Sequence, residues 1–428
     1  MIRFSKIFIH QKRGAAIPLG PKGPSFLAVN RMTKLTIEDL PLKGRRVLMR
    51  VDFNVPLSKE KTITDDSRIA AALPSIQYAL KEGASLVLMS HLGRPNGKPN
   101  SAFSLSVCAK RLSELLNKPV LMAPDCVGPD VEKMASRLKP GEILMLENLR
   151  FHEGEEFPEK DPKFVKELAS LGDVYINDAF GTAHRAHSST ALIAKYFPER
   201  AAAGFLMSQE ISHLSPLLEN PERPFYAIIG GAKISTKIGV MRNLLRVVDA
   251  LFIGGGMTFT FLKSQGIPIG GSLCEDEELK TAAELLKAYP KKIHLALDLV
   301  VADAFSNDAK KKTIPVEQGI PTGCLGMDIG SKTVEEWSHF LKNAATVFWN
   351  GPLGVFEMPN FAIGTQKIAE MLAASRAQTI IGGGDSVAAI HQMGLADRFA
   401  HLSTGGGASM EFLEFGHLPG IDALSDKK

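Results

Sequence analysis

The chain has 428 residues, 45% of them hydrophobic and 22% charged, which is enough to bury the cores of two globular domains. The net charge of +4 is too small to indicate nucleic-acid binding, and no apolar run reaches the roughly 18 residues of a membrane span. The four cysteines show neither Cys-x-x-Cys spacing nor the density of a secreted domain. We therefore predict a cytoplasmic protein that binds neither nucleic acid nor membrane.

Residues 1–31 form a basic extension that contains no Asp or Glu. Such an opening is typical of a mitochondrial transit peptide, but Pro18, Pro21 and Pro24 would break the amphipathic helix that a transit peptide forms. Because an ordinary globular pattern begins at Met32, we interpret 1–31 as a disordered extension, produced by a start assigned too far upstream, with targeting as the alternative.

From Met32 onward, apolar runs that suit buried strands alternate with segments of helical periodicity. This alternation indicates βαβ units and a parallel sheet. An apolar, periodic helix at 203–218 then precedes a second βα series of similar size. In the first half the predicted strands are 46–53, 85–90, 119–123, 142–147 and 173–178, and the predicted helices include 66–82, 104–117 and 162–171.

In the second half, four apolar strands run into glycine-rich turns. Ligands of open α/β sheets bind at the carboxyl ends of the strands, and glycine lets backbone N–H groups approach a phosphate. The sequence therefore predicts a nucleotide-binding edge in this half. The four segments are 225–231, 250–256, 379–386 and 401–407.

Several polar residues near these turns suit a nucleotide. Lys233 and Lys237 are predicted to share one face of a helix start, where anions bind. Asp385 can reach a metal that bridges phosphates, with Ser386 offering a hydroxyl, and the segment 349–357 can wrap a ribose or base. Neither a P-loop nor a Gly-x-Gly-x-x-Gly motif occurs, which argues against P-loop NTPases and dinucleotide dehydrogenases, and no Cys/His cluster has zinc-site spacing.

The strand ends of the first half carry cations and hydrogen-bonding groups instead of glycines. Arginines gathered at one sheet edge suit the oxygens of carboxylates and phosphates, so this half is predicted to bind a small anion. Arg68, at the head of the first helix, adds another cation. The four strand-end segments are Arg50-Val-Asp-Phe-Asn, Ser90-His-Leu-Gly-Arg, Asn148-Leu-Arg-Phe-His and Gly181-Thr-Ala-His-Arg-Ala-His.

Together these segments resemble phosphoglycerate kinases, over roughly residues 32–424. The resemblance implies an α/β fold of two doubly wound, Rossmann-like parallel-sheet lobes joined by a helix, with a ligand cleft between them. It also implies a cytoplasmic, hinge-bending monomer. The motifs that carry it are Arg50-Val-Asp-Phe-Asn-Val-Pro, Ser90-His-Leu-Gly-Arg-Pro, Leu146-Glu-Asn-Leu-Arg-Phe, Gly181-Thr-Ala-His-Arg-Ala-His, Trp349-Asn-Gly-Pro and Gly382-Gly-Gly-Asp-Ser.

The family reaction implied is the reversible transfer of a phosphoryl group between ATP and the carboxylate of 3-phosphoglycerate. Its products are ADP and 1,3-bisphosphoglycerate, it requires Mg²⁺, and it is a step of glycolysis and gluconeogenesis. The implied domains are a phosphoglycerate-binding lobe at 32–202, the connecting helix at 203–218, a nucleotide-binding lobe at 219–407 and a segment at 408–428 that returns to the first lobe.

The resemblance also assigns residues to these roles. Arg68, Lys233, Gly383 and Gly384 are expected to be catalytic. The phosphoglycerate is expected to bind Asp52, Asn54, Arg68, His91, Arg94, Arg150 and Arg185. The nucleotide is expected to bind Lys233, Lys237, Gly326, Asn350, Glu357, Gly383, Gly384, Asp385 and Ser386, with Asp385 on the metal.

The residue types suit this chemistry. A carboxylate nucleophile is already ionised at neutral pH, so no general base is required. Phosphoryl transfer instead requires positioning and neutralisation of the charge on the transferred group. Two alternatives remain: a kinase of another carboxylate, and an inactive nucleotide-binding scaffold, although the scaffold would be expected to have lost residues such as Arg68, Lys233 and Asp385.

Overall fold

The computed structural model describes residues 34–428, so the predictions for 1–31 lie outside the described residues. Within that range, no helix is both long enough and apolar enough to cross a membrane. The described part contains two separate six-stranded parallel sheets and one small antiparallel sheet. The predicted fold class, two parallel α/β lobes, is therefore confirmed.

The first lobe is the part of the chain that carries the first sheet. Its strands lie in the order β3-β4-β2-β1-β5-β6 and all pair in parallel. The central strands are buried almost throughout, which is why they read as continuous apolar runs. The strands are β1 (Arg46–Val51), β2 (Ser85–Met89), β3 (Val120–Met122), β4 (Ile143–Met145), β5 (Val174–Asp178) and β6 (Ala201–Ala203).

Five helices accompany this sheet, and a sixth follows it. Helix α6 begins at Phe205 rather than at residue 203, because Ala201–Ala203 pair with β5 as the edge strand β6. Three alanines give no strand periodicity, so β6 was not predicted. The helices are α1 (Ser67–Lys81), α2 (Ser106–Leu116), α3 (Pro129–Ser136), α4 (Glu153–Glu156), α5 (Phe164–Ala169) and α6 (Phe205–Glu219).

The second lobe carries the second parallel sheet, in the order β15-β14-β13-β7-β8-β9. It also contains an antiparallel sheet, β11-β10-β12, which the sequence did not predict. The link at 303–310 is too short for the crossover helix that parallel pairing needs. The strands are β7 (Phe225–Ile229), β8 (Ala250–Ile253), β9 (Ile293–His294), β10 (Asp298–Ala302), β11 (Lys311–Pro315), β12 (Leu325–Ile329), β13 (Thr346–Asn350), β14 (Gln378–Gly382) and β15 (His401–Leu402).

The remaining helices cover the second lobe and end the chain. Buried Phe252, Trp337 and Trp349 belong to its core, as Val47, Met49 and Ile76 belong to the core of the first lobe. Each sheet therefore has its own apolar interior. The helices are α7 (Ile238–Val247), α8 (Met257–Ser264), α9 (Leu279–Ala288), α10 (Ser331–Leu341), α11 (Ile363–Ala373), α12 (Gly384–Gln392), α13 (Gly407–Phe415) and α14 (Pro419–Asp422).

After the second sheet, the chain runs back to the first lobe. Gly420 donates its backbone N–H to the Ala183 carbonyl at 2.8 Å, and Ser425 donates to the Ala201 carbonyl at 2.9 Å. The Ser425 carbonyl in turn accepts from the Leu35 N–H at 2.8 Å. Within residues 34–428, two crossings therefore join the lobes, α6 and the C-terminal segment at 408–428.

Candidate active site

The candidate site of the first lobe starts where β1 ends. Arg68, in the first turn of α1, donates a hydrogen bond to the Asp52 carboxylate. The Asn54 side-chain oxygen accepts from the Gly93 N–H at 2.9 Å and so ties the loop after β1 to the loop after β2. Because 37% of the Arg68 side chain is exposed, an anion can reach its guanidinium.

His91 lies two residues after β2, and its buried ring contacts Arg50 of β1. Arg50 Nη2 is 3.1 Å from His91 Nδ1. A guanidinium can only donate, so Nδ1 accepts and the ring proton of His91 lies on Nε2. Burial, reinforced by the charges of Arg50 and Arg150, lowers the pKa of His91 well below its usual value. His91 is therefore a neutral ring whose Nε2–H can donate to an oxyanion.

A buried carboxylate fixes Arg50. Arg50 Nε donates to Ser189 Oγ at 2.9 Å, and Ser189 Oγ donates to Glu155 Oε1 at 2.6 Å. Burial raises the pKa of Glu155, while the charge of Arg50 acts in the opposite direction. Arg50 was visible as a strand-end cation, but Glu155 lies between Gly154 and Glu156 in an acidic run that gave no signal.

The other predicted cations of this edge differ in their surroundings. Arg150 is buried and donates through Nη1 to the Gly93 carbonyl at 2.8 Å. Arg185 is half-buried and donates through Nε to His184 Nε2 at 3.3 Å, whereas Arg94 is exposed. The structure thus places all seven predicted anion-binding residues at the carboxyl edge of the first sheet or at the head of α1.

The neighbouring histidines contribute no charge at neutral pH. Burial, followed by the charge of Arg185, lowers the pKa of His184 to about 4. Burial, followed by the charge of Arg150, lowers the pKa of His187 to about 3. The positive charge of this edge therefore comes from its arginines, whose guanidinium groups stay protonated.

In the second lobe, a cavity of about 570 Å³ opens beside the glycine turns. Its size is in the range of small-molecule and cofactor sites. Gly326 is required in its wall, because a Cβ there would lie 2.2 Å from the Phe259 ring. The segment after Trp349 lines the cavity through Glu357, whereas Trp349 itself is buried in the core and not placed to hold a base. Further lining comes from Gly231, Gly255, Gly256, Leu273, Phe305 and Leu353.

A second cavity, of about 390 Å³, lies at the start of α12. Gly383 adopts φ +91°, which L side chains rarely adopt, and it lines this cavity together with the first residues of α12. Asp385 lines both cavities, so the two cavities lie next to each other at this residue. The predicted nucleotide residues that line the second cavity are Lys237, Asn350, Gly383, Gly384, Asp385 and Ser386.

The two lysines do not share a helix face, so that prediction was wrong. Helix α7 begins at Ile238, and Lys233 precedes it in an exposed turn that lines neither cavity. Lys237 donates to the Gly230 carbonyl at 2.7 Å, and burial lowers its pKa to about 8 against the opposing charge of Asp385. Lys237 is thus enclosed at the second cavity, while Lys233 is exposed.

The basic edge and the second cavity meet where the lobes touch. Helix α13 packs on the turn Phe180–Thr182, just before Arg185. Glu411 of α13 lines the second cavity, and its Oε1 lies 4.0 Å from His184 Nε2. Anions bound at the two edges would therefore face one cleft.

A carboxylate that the sequence analysis missed fastens the second lobe to α6. Glu210 is fully buried and lies 2.8 Å from His401 Nε2, and it accepts hydrogen bonds from Ser403 Oγ and the Thr404 N–H, each at 2.7 Å. Its position in an apolar, periodic helix gave no sign of partners at the end of β15. This contact lies between the two sheets, so any rotation of one lobe relative to the other would have to change it.

Two parallel α/β lobes that present arginines on one side of a cleft and glycine turns on the other are typical of an enzyme that brings a small anion to a nucleotide. Comparison with known proteins identifies the family. The profile described as phosphoglycerate kinase matches residues 37–416. The chain therefore belongs to the phosphoglycerate kinase family.

Individual relatives agree with this assignment. The chain is 54% identical to the phosphoglycerate kinase of Chlorobium limicola over 401 residues, covering 92% of this chain and 100% of that protein. It is also 54% identical to that of Moorella thermoacetica over 399 residues, with the same coverage. The solved structure of phosphoglycerate kinase from Coxiella burnetii superposes with a TM-score of 0.83 at 41% identity, covering 91% of this chain and 98% of that one.

The predicted function is thereby confirmed. The chain is an ATP-dependent phosphotransferase of glycolysis, with 3-phosphoglycerate and ATP as substrates. The findings do not favour the two alternatives, a kinase of another carboxylate and an inactive scaffold.

Proposed function

We propose that the arginine edge of the first lobe binds 3-phosphoglycerate and that the two adjacent cavities of the second lobe bind ATP. The observation that carries this assignment is the meeting of the two edges at α13. Its residue Glu411 lines the second cavity and lies 4.0 Å from His184 of the basic edge. The residue roles stay those given by the family motifs, with Arg50 and Glu155 added as positioning residues.

On this proposal, a carboxylate oxygen of 3-phosphoglycerate attacks the γ-phosphorus of ATP. A new oxygen–phosphorus bond forms while the bond between that phosphorus and the β,γ-bridging oxygen breaks, and ADP leaves with the bond electrons. The carboxylate needs no base because it is already ionised. Arg68 and the N–H groups of Gly383 and Gly384 offset the charge that spreads over the transferred group. The exposed Lys233 side chain reaches the same group when the cleft is occupied.

In the first lobe, binding and orientation come from groups with fixed protonation. Arg150 and Arg185 offer charged donors, and His91 offers Nε2–H because Arg50 occupies Nδ1. Asp52 and Asn54 hold Arg68 and the Gly93 loop in place. The phosphoglycerate is thus bound by hydrogen-bond donors whose protonation does not change during the reaction.

In the second lobe, the residues fit a magnesium nucleotide. The exposed Asp385 carboxylate lines both cavities and lies close enough to Lys237 to influence its pKa. Mg²⁺ is commonly held by one or two carboxylates together with the phosphates of the nucleotide, and Asp385 would be that protein ligand. When bound, the ion supplies neutralisation of the phosphate oxygens. Ser386 is already engaged, since its Oγ accepts a hydrogen bond from the Gly351 N–H.

We further propose that the enzyme is a cytoplasmic monomer whose lobes, 32–202 and 219–407, close on the two substrates. The reacting atoms must approach to about 3–3.5 Å in a site from which water is excluded. The connecting helix and the segment at 408–428 are the two crossings that would bend. Each substrate alone bridges too few groups across the cleft to shift the open–closed balance.

The test combines activity with shape. Purified full-length protein should convert ATP and 3-phosphoglycerate in a coupled assay only when Mg²⁺ is present. Small-angle scattering should then give a smaller radius of gyration with 3-phosphoglycerate and a non-hydrolysable ATP analogue together than with either alone. Turnover without any decrease in radius, under conditions where both ligands demonstrably bind, would exclude closure as the assembling step.

A further inference from the structure

Three side chains that can bind metal ions come together on the first lobe, away from the residues assigned to the reaction. Asp125 and Cys126 follow β3, and His152 follows the turn Leu149–Phe151 after β4. One ligand atom from each of them, a carboxylate oxygen, the thiol sulfur and an imidazole nitrogen, all lie within 4.8 Å of one another. The sequence spacing does not show this group, because His152 is far from Asp125 and Cys126 along the chain.

The contacts within the group define its geometry. His152 Nε2 lies 2.6 Å from Asp125 Oδ1. Cys126 is fully buried, and its Sγ lies 2.9 Å from the Glu147 carbonyl oxygen. In a tetrahedral zinc site with bonds of about 2.0–2.3 Å, neighbouring ligand atoms are about 3.3–3.6 Å apart. The three ligand atoms would reach that spacing if the distance between His152 Nε2 and Asp125 Oδ1 increased slightly and the Cys126 side chain rotated about its Cα–Cβ bond.

We propose that Asp125, Cys126 and His152 form a site for Zn²⁺ or a similar borderline divalent cation, with water in the fourth position. A ligand set of thiolate, imidazole and one carboxylate selects such ions over Mg²⁺ and Ca²⁺, which prefer oxygen. Three protein ligands and one open position are a known zinc arrangement. On binding, the Cys126 thiol releases its proton to solvent. The His152 ring takes the tautomer that carries its proton on Nδ1, so that Nε2 and the Asp125 carboxylate are both free to bind the metal.

The surroundings favour a cation at this place. Burial, and after it the negative charges of Asp125, Glu147 and Glu155, raises the pKa of the Cys126 thiol. The same negative potential that disfavours a free thiolate attracts a cation, and it argues against Cys126 as a nucleophilic or redox-active cysteine. The His152 ring is also held, because it stacks on buried Phe164 with a centroid separation of 4.8 Å.

A bound ion would link the loop after β3 to the segment after β4. That segment contains Arg150, two residues before His152, so occupancy would stiffen one side of the anion-binding edge. The site is nevertheless separate from the reaction, since neither Asp125 nor Cys126 is among the residues assigned to either substrate. Its existence does not depend on the roles proposed for those residues.

The experiment is a titration of the reduced, full-length protein with Co²⁺, without nucleotide and with a phosphine reductant that does not bind metals. We expect one Co²⁺ per chain, with a thiolate-to-cobalt charge-transfer band and the intense visible bands of tetrahedral cobalt. One equivalent of Zn²⁺ should abolish both. Cys126→Ser should lose the charge-transfer band, and His152→Phe, which keeps an aromatic ring over Phe164, should weaken Co²⁺ binding at least about tenfold.

Cys274→Ser is the matched control. The Cys274 thiol lies 3.2 Å from Asp276 Oδ1 and is the other cysteine beside a carboxylate in the described chain, so its variant should titrate like the wild type. The proposal is overturned if the wild type shows no thiolate band at one equivalent, if the band depends on Cys274, or if His152→Phe leaves the affinity unchanged. Should Cys126→Ser fail to fold, the His152→Phe result decides.

Discussion

The two lobes contain the same kind of parallel sheet, but they present different groups to their ligands at its carboxyl edge. The first lobe offers side chains, and its cations Arg50 and Arg150 are buried and held by other groups. The second lobe offers backbone, and Gly230 shows why, since a Cβ there would lie 2.2 Å from the Pro352 carbonyl oxygen. A guanidinium recognises a compact anion in a fixed geometry, whereas a glycine turn lets a long phosphate chain lie against N–H groups.

The difference teaches that the topology sets where ligands bind, and that the residues at the strand ends set which ligand binds. In both lobes the candidate residues follow the carboxyl ends of parallel strands, as expected for open α/β sheets. Losing a side chain should therefore damage the first edge, and gaining one should damage the second. The first two predictions below test that rule, and the third compares how the two edges respond to pH.

The largest effect is expected for Arg68→Ala. If Arg68 stabilises charge on the transferred phosphoryl group, its loss should lower kcat by about 10² while the affinity for ATP changes little. Steady-state kinetics with each substrate varied in turn measures both quantities.

Arg111→Ala is the matched control for that variant. Arg111 is also an arginine paired with an aspartate, Asp66, and its side chain is 39% exposed against 37% for Arg68. Its variant should keep kcat within about threefold of the wild type. Equal losses in the two variants would mean that the Arg68 effect comes from a broken ion pair rather than from catalysis.

An intermediate effect is expected for Gly326→Ala. The new methyl group would lie against the Phe259 ring at 2.2 Å and would narrow the larger cavity. We expect ATP and ADP to bind about tenfold more weakly, with binding of 3-phosphoglycerate unchanged. Calorimetric titration of each ligand separately reports the two affinities.

Gly271→Ala adds the same methyl group to another wall of that cavity. There the Cβ would sit 3.6 Å from the Cys324 carbonyl oxygen, an ordinary contact. Nucleotide binding should stay within about threefold of the wild type. If Gly326→Ala binds nucleotide normally as well, the cavity of about 570 Å³ is not where the nucleotide lies.

Sequence reasoning worked where the signal is local. The turn after β14 has its glycines, Asp385 and Ser386 in one short run, and each motif in the first lobe lies directly after an apolar strand. Reasoning failed where a role depends on a distant partner. Glu210 meets His401 across 191 positions, and Glu155 meets Ser189 across 34, so neither carboxylate differs from its neighbours in sequence.

Two further misses have local causes. The turn containing Lys233 was read as a helix because Lys233 and Lys237 are four residues apart, yet α7 starts only at Ile238. The antiparallel pair β10 and β11 was read as part of the βα series because β10 is an apolar run that suits a parallel sheet, whereas β11, Lys311-Lys-Thr-Ile-Pro, is mostly polar and exposed and gave no strand signal. The short link between them excludes that arrangement, and link length is visible only once the strand ends are known.

The smallest effect concerns the pH dependence of the two edges. The pKa of Lys237 is lowered to about 8 because the residue is buried, so its positive charge is lost as the pH rises through that value. A nucleotide phosphate favours the charged lysine, so nucleotide affinity should fall about fivefold between about pH 7 and about pH 9. The arginines of the first edge stay charged over that range, and the lowered pKa values of His91, His184 and His187 keep those rings neutral throughout.

Binding of 3-phosphoglycerate should therefore be constant where nucleotide binding is not. Fluorescence or calorimetric titrations with each ligand, at saturating Mg²⁺ for the nucleotide, compare the two edges in the same protein. Lys237→Met keeps most of the length of the side chain but removes its charge, so it should bind nucleotide weakly and equally at both pH values. If the nucleotide affinity of Lys237→Met still falls between the two pH values, a group other than Lys237 must titrate. A flat wild-type profile for both ligands would mean that Lys237 keeps its charge in the enclosed cavity and that the two edges do not differ in this respect.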